Sequence, residues 1–197
     1  MADITRVPVQ SPTPGSTSSP PLREPADGLA GREALVSCIE LLFFAYRDFT
    51  GDPDAVLSEY GFGRAHHRVL HFVHRNPGIR VADLLDILKI TKQSLSRVLK
   101  QLVDEGFVTQ RAGPDDRRER LLRVTAKGAR LAEKLTHLQL RRLEAALEKA
   151  GPGAERTTQS FLLAMIAAED QDHVKALIRL PVDGGPEEGC GAEGKKR

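Results

Sequence analysis

Apolar residues recur at helical spacing through most of the chain. Between Gly31 and Phe49, Val36, Ile39, Leu42, Phe43 and Tyr46 fall on one stripe, which predicts a first helix. Gly51-Asp52-Pro53 is expected to end it, with Asp52 capping a short helical turn from Pro53. Arg64 to Arg75 predicts a second helix, stopped by Asn76-Pro77-Gly78. A third runs from Val81 to Leu88, with Leu84, Leu85 and Leu88 facing inward. Only Lys89 and Ile90 separate it from a fourth, Thr91 to Glu105, whose apolar face is Leu95, Val98, Leu99 and Leu102. Two helices joined by so short a turn predict a helix-turn-helix.

After Gly106 the period shortens. Phe107 to Arg111 and Leu121 to Thr125 read as strands, and Gly113-Pro114-Asp115-Asp116 between them is turn chemistry. The pair makes a β-hairpin with a long, charged tip. Thr125 then caps a long helix to Ala150, with Leu131, Leu135, Leu138 and Leu147 near helical spacing. Gly151-Pro152-Gly153 ends it, and a last helix is expected from Glu155 to Leu180. The fold class is therefore mainly α with a small β-wing.

Composition sets the boundaries. Half of the 12 prolines fall in the first 28 residues, without periodicity, so residues 1–28 read as a disordered tail. Residues 181–197 read as a flexible second tail, leaving one domain over 29–180. The best apolar run, Ile39 to Tyr46, contains Glu40, so no membrane helix is expected. Two cysteines, Cys38 and Cys190, cannot make a disulfide scaffold, which points to the cytoplasm. An enzyme fits poorly, for the chain has no nucleophile elbow, phosphate-binding loop, His-Glu-x-x-His or Cys-x-x-Cys.

Charge adds a partner class. Net charge is only +2, yet residues 64–130 hold 15 basic and 7 acidic side chains, a local +8. Such a segment is either a solvated Arg-rich surface or the footprint of a polyanion, most commonly nucleic acid. Helix four favours the second. Gln93, Ser96, Arg97 and Lys100 cluster opposite its apolar face, with Thr91 and Lys92 at its start, and no acidic residue lies between Thr91 and Val103. Arg and Gln can read guanine and adenine edges in a major groove, while Ser and Lys reach phosphates. At the hairpin tip, Arg117, Arg118 and Arg120 suit a narrow minor groove. One of the neighbouring aspartates is expected to orient an Arg through a bidentate pair.

These residues resemble a known family. Phe62 to Leu131 is similar to the winged-helix core of the MarR family of bacterial transcription regulators. Asp116-x-Arg118, then Leu122-x-Val124-Thr125, then Gly128 is its most specific element. The preceding run from Phe43 to Leu57 resembles the PetP-like subgroup of alphaproteobacteria. The resemblance implies a homodimer on a pseudo-palindromic site in double-stranded DNA. Its winged helix-turn-helix would span about 62–125, and its dimerisation helices about 31–50 and 126–180. It places Ser96 and Arg97 at recognition-helix contacts, Arg118 at the wing tip and Asp116 as its partner.

An effector, small-molecule, metal or redox, is implied by the family but not named by the sequence. No cofactor is required. His67, His71 and His74 share one face of helix two, where the family usually carries an aromatic or aliphatic residue at position 67. The row could share a metal ion, ligate haem iron or act as a pH switch, and it could equally be hydrogen-bonded structure. Cys38 lies near the cysteine of peroxide-sensing relatives, but without basic neighbours it reads better as buried and inert. The rival to DNA reading is a winged helix that docks a protein, against which the acid-free face of helix four argues.

Overall fold

The computed structural model describes residues 28–114 and 116–178. Its elements are α1 (Gly28–Ser58), α2 (Arg64–Arg75), β1 (Ile79–Arg80), α3 (Val81–Leu88), α4 (Lys92–Asp104), β2 (Val108–Ala112), β3 (Arg120–Val124), α5 (Ala126–Ala150), α6 (Ala154–Ala164) and α7 (Ala168–Ile178). The expected tails and Cys190 lie outside the described residues, as does Asp115. No helix among the described residues is long and apolar enough to cross a membrane. The chain divides into two units between Asp48 and Phe49.

In the first unit the predicted apolar stripe is open. Ile39, Phe43 and Tyr46 are all more than half exposed, and so are Leu41 and Phe44 off the stripe. Cys38, expected to be buried, is exposed as well.

The second unit holds the core. Leu57, Phe62, Val69, Leu70, Val73, Leu84, Leu95, Leu102, Phe107, Leu122, Leu131 and Leu135 pack into one cluster. The apolar faces predicted for α3 and α4 supply it, with Leu85 only half-buried. The α3–α4 turn works because Lys89 adopts a left-handed conformation (φ 50°) and its N–H reaches the Leu85 carbonyl at 2.9 Å. Thr91 then caps α4, its hydroxyl oxygen accepting from the Ser94 N–H at 3.2 Å.

The sheet has three antiparallel strands in the order β1-β3-β2, not the expected two. Ile79 pairs with Leu122, and Val108 with Val124. A two-residue strand has no period of its own, so nothing in Ile79-Arg80 announced it. The hairpin meets α5 at a tight joint. Thr125 Oγ1 accepts from the Gly128 N–H at 3.1 Å and donates to the Gly106 carbonyl at 2.7 Å. A Cβ on residue 128 would lie 2.0 Å from the Phe107 carbonyl oxygen, so only glycine fits.

Two boundaries differ from expectation. Gly51-Asp52-Pro53 does not end α1, which runs on to Ser58 with Pro53 inside it. The Pro53 and Leu57 side chains are fully buried, and this packing offsets the helix bond that Pro removes. Asp52, expected as a cap, instead pairs with Arg142 at 2.9 Å. The last helix is two, broken at residues 165–167 without any Gly or Pro. The Gln171 amide donates to the freed Ile166 carbonyl at 3.0 Å, and Glu169 and Asp170 favour a new helix N-terminus.

Gly128→Ala is expected to destabilise the protein by about 1–3 kcal/mol or more, because backbone and not a movable side chain occupies the space. Urea unfolding checks it. A loss under about 0.5 kcal/mol would show that the α5–β2 joint relaxes freely.

Candidate nucleic-acid interface

Burial of Leu95, Val98, Leu99 and Leu102 turns the opposite side of α4 to solvent. Lys92, Gln93, Ser96, Arg97 and Lys100 are all exposed there. Thr91 is exposed too, but its hydroxyl is committed to the cap and donates to Ser94 Oγ at 2.8 Å. Ser94, passed over in the sequence, therefore belongs to the same polar start of the helix. Lys100 is not free: it forms an ion pair with Asp104 one turn on, a partner just beyond the acid-free stretch. Lys92 and Arg97 have no ion pair among the described residues.

The hairpin beyond α4 carries the second group. Arg117 and Arg118 form the turn, and Arg120 opens β3; all three are exposed. Among the described residues Asp116 grips no guanidinium. Its Oδ1 accepts from the Arg118 backbone N–H at 2.7 Å. A short carboxylate reaches an amide two residues on more readily than the end of a long neighbouring side chain. Asp116 thus shapes the turn and leaves the Arg118 side chain free to point outward. The loop closes through Gly113 N–H to the Glu119 carbonyl at 3.1 Å and Glu119 N–H to the Asp116 carbonyl at 3.0 Å.

Helix α2 carries the histidines. His67 is buried, and His71 and His74 are half-buried. Burial, and secondarily the charge of His71, lowers the His67 pKa, with Asp54 opposing. Burial lowers that of His71 as well, helped by Arg75 and His74. His74 Nε2 lies 3.9 Å from Glu133 Oε1. Among the described residues no group of three or more His, Cys, Asp or Glu side chains is placed to hold a metal ion. The histidine missed in the sequence is His66. It stacks on Phe62 with ring centroids 4.7 Å apart, and its Nδ1 accepts from the Gly63 N–H at 3.1 Å. Its Nε2 is left to donate to Gln101 at 3.0 Å, tying the start of α2 to α4. An open groove of about 380 Å³ lies elsewhere, lined by Asp52, Leu138, Arg141, Arg142 and Lys149 among others. None of the expected effector residues lines it.

Comparison with known proteins converges on one family. The sequence model of the MarR family matches residues 60–119. The HTH-type transcriptional regulator PetP of Rhodobacter capsulatus is 46% identical over 145 residues, 74% of this chain and 87% of that protein. Among solved structures, a SlyA-like transcription regulator from Listeria monocytogenes superposes with a TM-score of 0.57 at 22% identity, over 70% of this chain and 93% of that one. A cysteine-to-serine mutant of MarR from E. coli, complexed with operator DNA, gives 0.52 at 24% identity, over 67% and 94%. At these identities the two structures speak for the fold.

Because His67 and His71 titrate below the ordinary imidazole value in the folded chain, the unfolded chain takes up protons first as pH falls. Their neutral forms therefore contribute full stability above about pH 6.5, and this is lost progressively as pH falls through that value toward their folded pKa values. Urea midpoints at about pH 7.5 and 5.5 should show the drop, and His67→Gln/His71→Gln should flatten it. An unchanged slope in the double variant would place the pH dependence elsewhere.

Proposed function

The chain belongs to the MarR family of DNA-binding transcriptional regulators, and from that premise we propose that it works in the cytoplasm as a homodimer on a pseudo-palindromic operator. The observation that carries this reading is the exposed face of α4, where Arg97 and Lys92 have no ion pair among the described residues and no acidic residue intervenes before Asp104. An ordinary solvated helix would interleave carboxylates there for helical ion pairs.

In this reading α4 enters the major groove by its N-terminal half. Arg97 and Gln93 face base edges, while Thr91, Lys92, Ser96 and Lys100 hold the sugar-phosphate backbone. Lys100 contributes less than its charge suggests, since Asp104 already neutralises part of it. Arg117 and Arg118 enter the adjacent minor groove, where negative potential is focused, and Arg120 lies at its edge. Two copies related by a two-fold axis bring two such faces to successive major grooves, with half-sites about one helical turn apart. Such a dimer would cover exposed apolar residues of α1, and it would separately cover Leu140 and Leu143 of α5 and Phe161 and Leu162 of α6. An effector near Cys38 or the α2 histidines would act by shifting the population of lobe spacings that fit DNA.

Selection of genomic fragments on the purified protein tests the reading. A pseudo-palindrome should be recovered, with specificity surviving added salt. Arg97→Ala should cost about 1–3 kcal/mol and relax preference at the bases it faces. Lys92→Ala should weaken binding to all sequences and reduce the salt slope by roughly 0.9. Unaltered site selection by Arg97→Ala would sink the recognition-helix assignment.

A further inference from the structure

The wing projects beyond its own ladder. The last pair between β2 and β3 is Ala112 with Arg120, so residues 113–119 have no strand partner. Their internal bonds shape the loop but do not set its direction relative to α4. Among the described residues, the ion pair that joins this loop to another element is that of Glu119 with Arg80, Nη1 to Oε1 at 3.3 Å.

Arg80 stands at a junction. It is the last residue of β1, paired with Leu121 of β3, and it is also the N-cap position of α3. The rest of its guanidinium grips Asp83 in the first turn of α3 by two bonds, Nε to Oδ2 at 2.9 Å and Nη2 to Oδ1 at 2.7 Å. Its backbone N–H approaches Asp83 Oδ2 at 3.4 Å. One planar side chain thus links the first helix of the helix-turn-helix to the loop that carries Arg117 and Arg118. The far end of the link is held as firmly. A Cβ at Gly113 would meet the Asp116 carbonyl oxygen at 2.8 Å and the Glu119 side chain at 3.2 Å, so the loop is packed against the residue Arg80 holds.

We propose that Arg80 is a positioning residue for DNA binding, which fixes the wing and its Arg117 and Arg118 in register with the α3–α4 reading head through Glu119. The proposal rests on the reading that the wing arginines contact DNA. Arg80, Asp83 and Glu119 are all substantially exposed, and ion pairs of that kind add little to folding stability. What the fork supplies is direction. Arginine can hold one carboxylate by two parallel bonds while a third nitrogen reaches another; the compact ammonium of lysine has no such geometry. Without the link, the wing keeps its turn and its arginines, but they must be immobilised on DNA at an entropic cost.

The test uses the full-length protein and its selected operator. Arg80→Met keeps the stem and removes the fork, while the backbone N–H to Asp83 still marks the start of α3. It should weaken operator binding about tenfold and erase hydroxyl-radical protection in the minor groove while leaving the major-groove pattern intact. Its thermal midpoint should move by no more than about 2 °C. Arg80→Lys should not rescue binding, and Glu119→Gln should shift it in the same direction as Arg80→Met. The deciding measurement is the cycle with Arg118→Ala. If Arg80 acts through the wing, Arg80→Met/Arg118→Ala binds no more weakly than Arg118→Ala alone. Additive losses, or erosion of the major-groove pattern by Arg80→Met, would overturn the positioning role while sparing the wing assignment. If Arg118→Ala alone changes neither affinity nor protection, the wing assignment falls and the role of Arg80 falls with it.

Discussion

The arrangement of the reading head depends on how closely Phe107 approaches Gly128. The Phe107 ring is buried, edge-on to Tyr60 and Phe62 at centroid distances of 5.4 and 5.1 Å. Its carbonyl accepts from the Thr125 N–H at 2.9 Å, and α5 passes so close that residue 128 can have no side chain. Gly106, in a left-handed conformation at φ 75°, turns the chain from α4 into this contact. The end of α4, the root of the hairpin and the start of α5 are thereby fixed at one place. Lys127 reinforces the joint, with its ammonium 4.0 Å from the Phe107 ring centroid and bonded to the Glu105 carbonyl at 2.9 Å. A helix and a hairpin that carry cations can be presented together only if their roots cannot move independently.

Around this joint some positive charges are paired within the chain and others are not. Arg80, Lys89, Lys100 and Arg142 each meet a carboxylate of the same chain, on Asp83 and Glu119, Asp170, Asp104 and Asp52 respectively. Lys92, Arg97, Arg117 and Arg118 meet none among the described residues, and all four lie on α4 or the wing. Cations elsewhere, such as Arg68, Arg75, Arg123, Arg130 and Arg141, also lack an ion pair among the described residues, so what sets α4 apart is the acid-free run from Thr91 to Val103 with Lys92, Arg97 and Lys100 exposed on it.

Much of this was legible in the sequence, for a physical reason. Helices α2 and α3 end where local chemistry ends them, at Asn76-Pro77-Gly78 and at the short turn after Leu88, and their bounds came out as expected. The cap residues Thr91 and Thr125 were equally plain, since Ser/Thr capping is a local bond. What escaped was decided by tertiary context. Burial of Pro53 and Leu57 carries α1 through a Gly and a Pro that locally predict a stop. The strand Ile79-Arg80 exists only because β3 is there to pair with it. Asp116 was correctly placed in the turn but assigned the wrong bond, because sequence spacing does not tell a backbone amide from a guanidinium. Arg80 and Glu119 lie 39 residues apart, and no periodicity could have joined them.

The first unit raises the remaining physical question. Along residues 31–48, apolar side chains occupy more than the stripe that first defined the helix: Leu41 is 65% exposed and Phe43 70%, with Phe44 and Leu35 at 58%. A surface helix needs one apolar face and can leave the rest polar, whereas a helix apolar round so much of its circumference is a core element. Among the described residues these side chains are left open. A second copy would supply partners symmetrically, because in a two-fold contact a residue that meets a second residue of the partner is matched by the reverse pair. The same contact would then set the distance between two reading heads. The affinity of the pair for DNA would depend on how this helical layer packs, as well as on Arg97 or Arg118. Anything that altered the packing would be felt at the operator without touching a base-contacting residue.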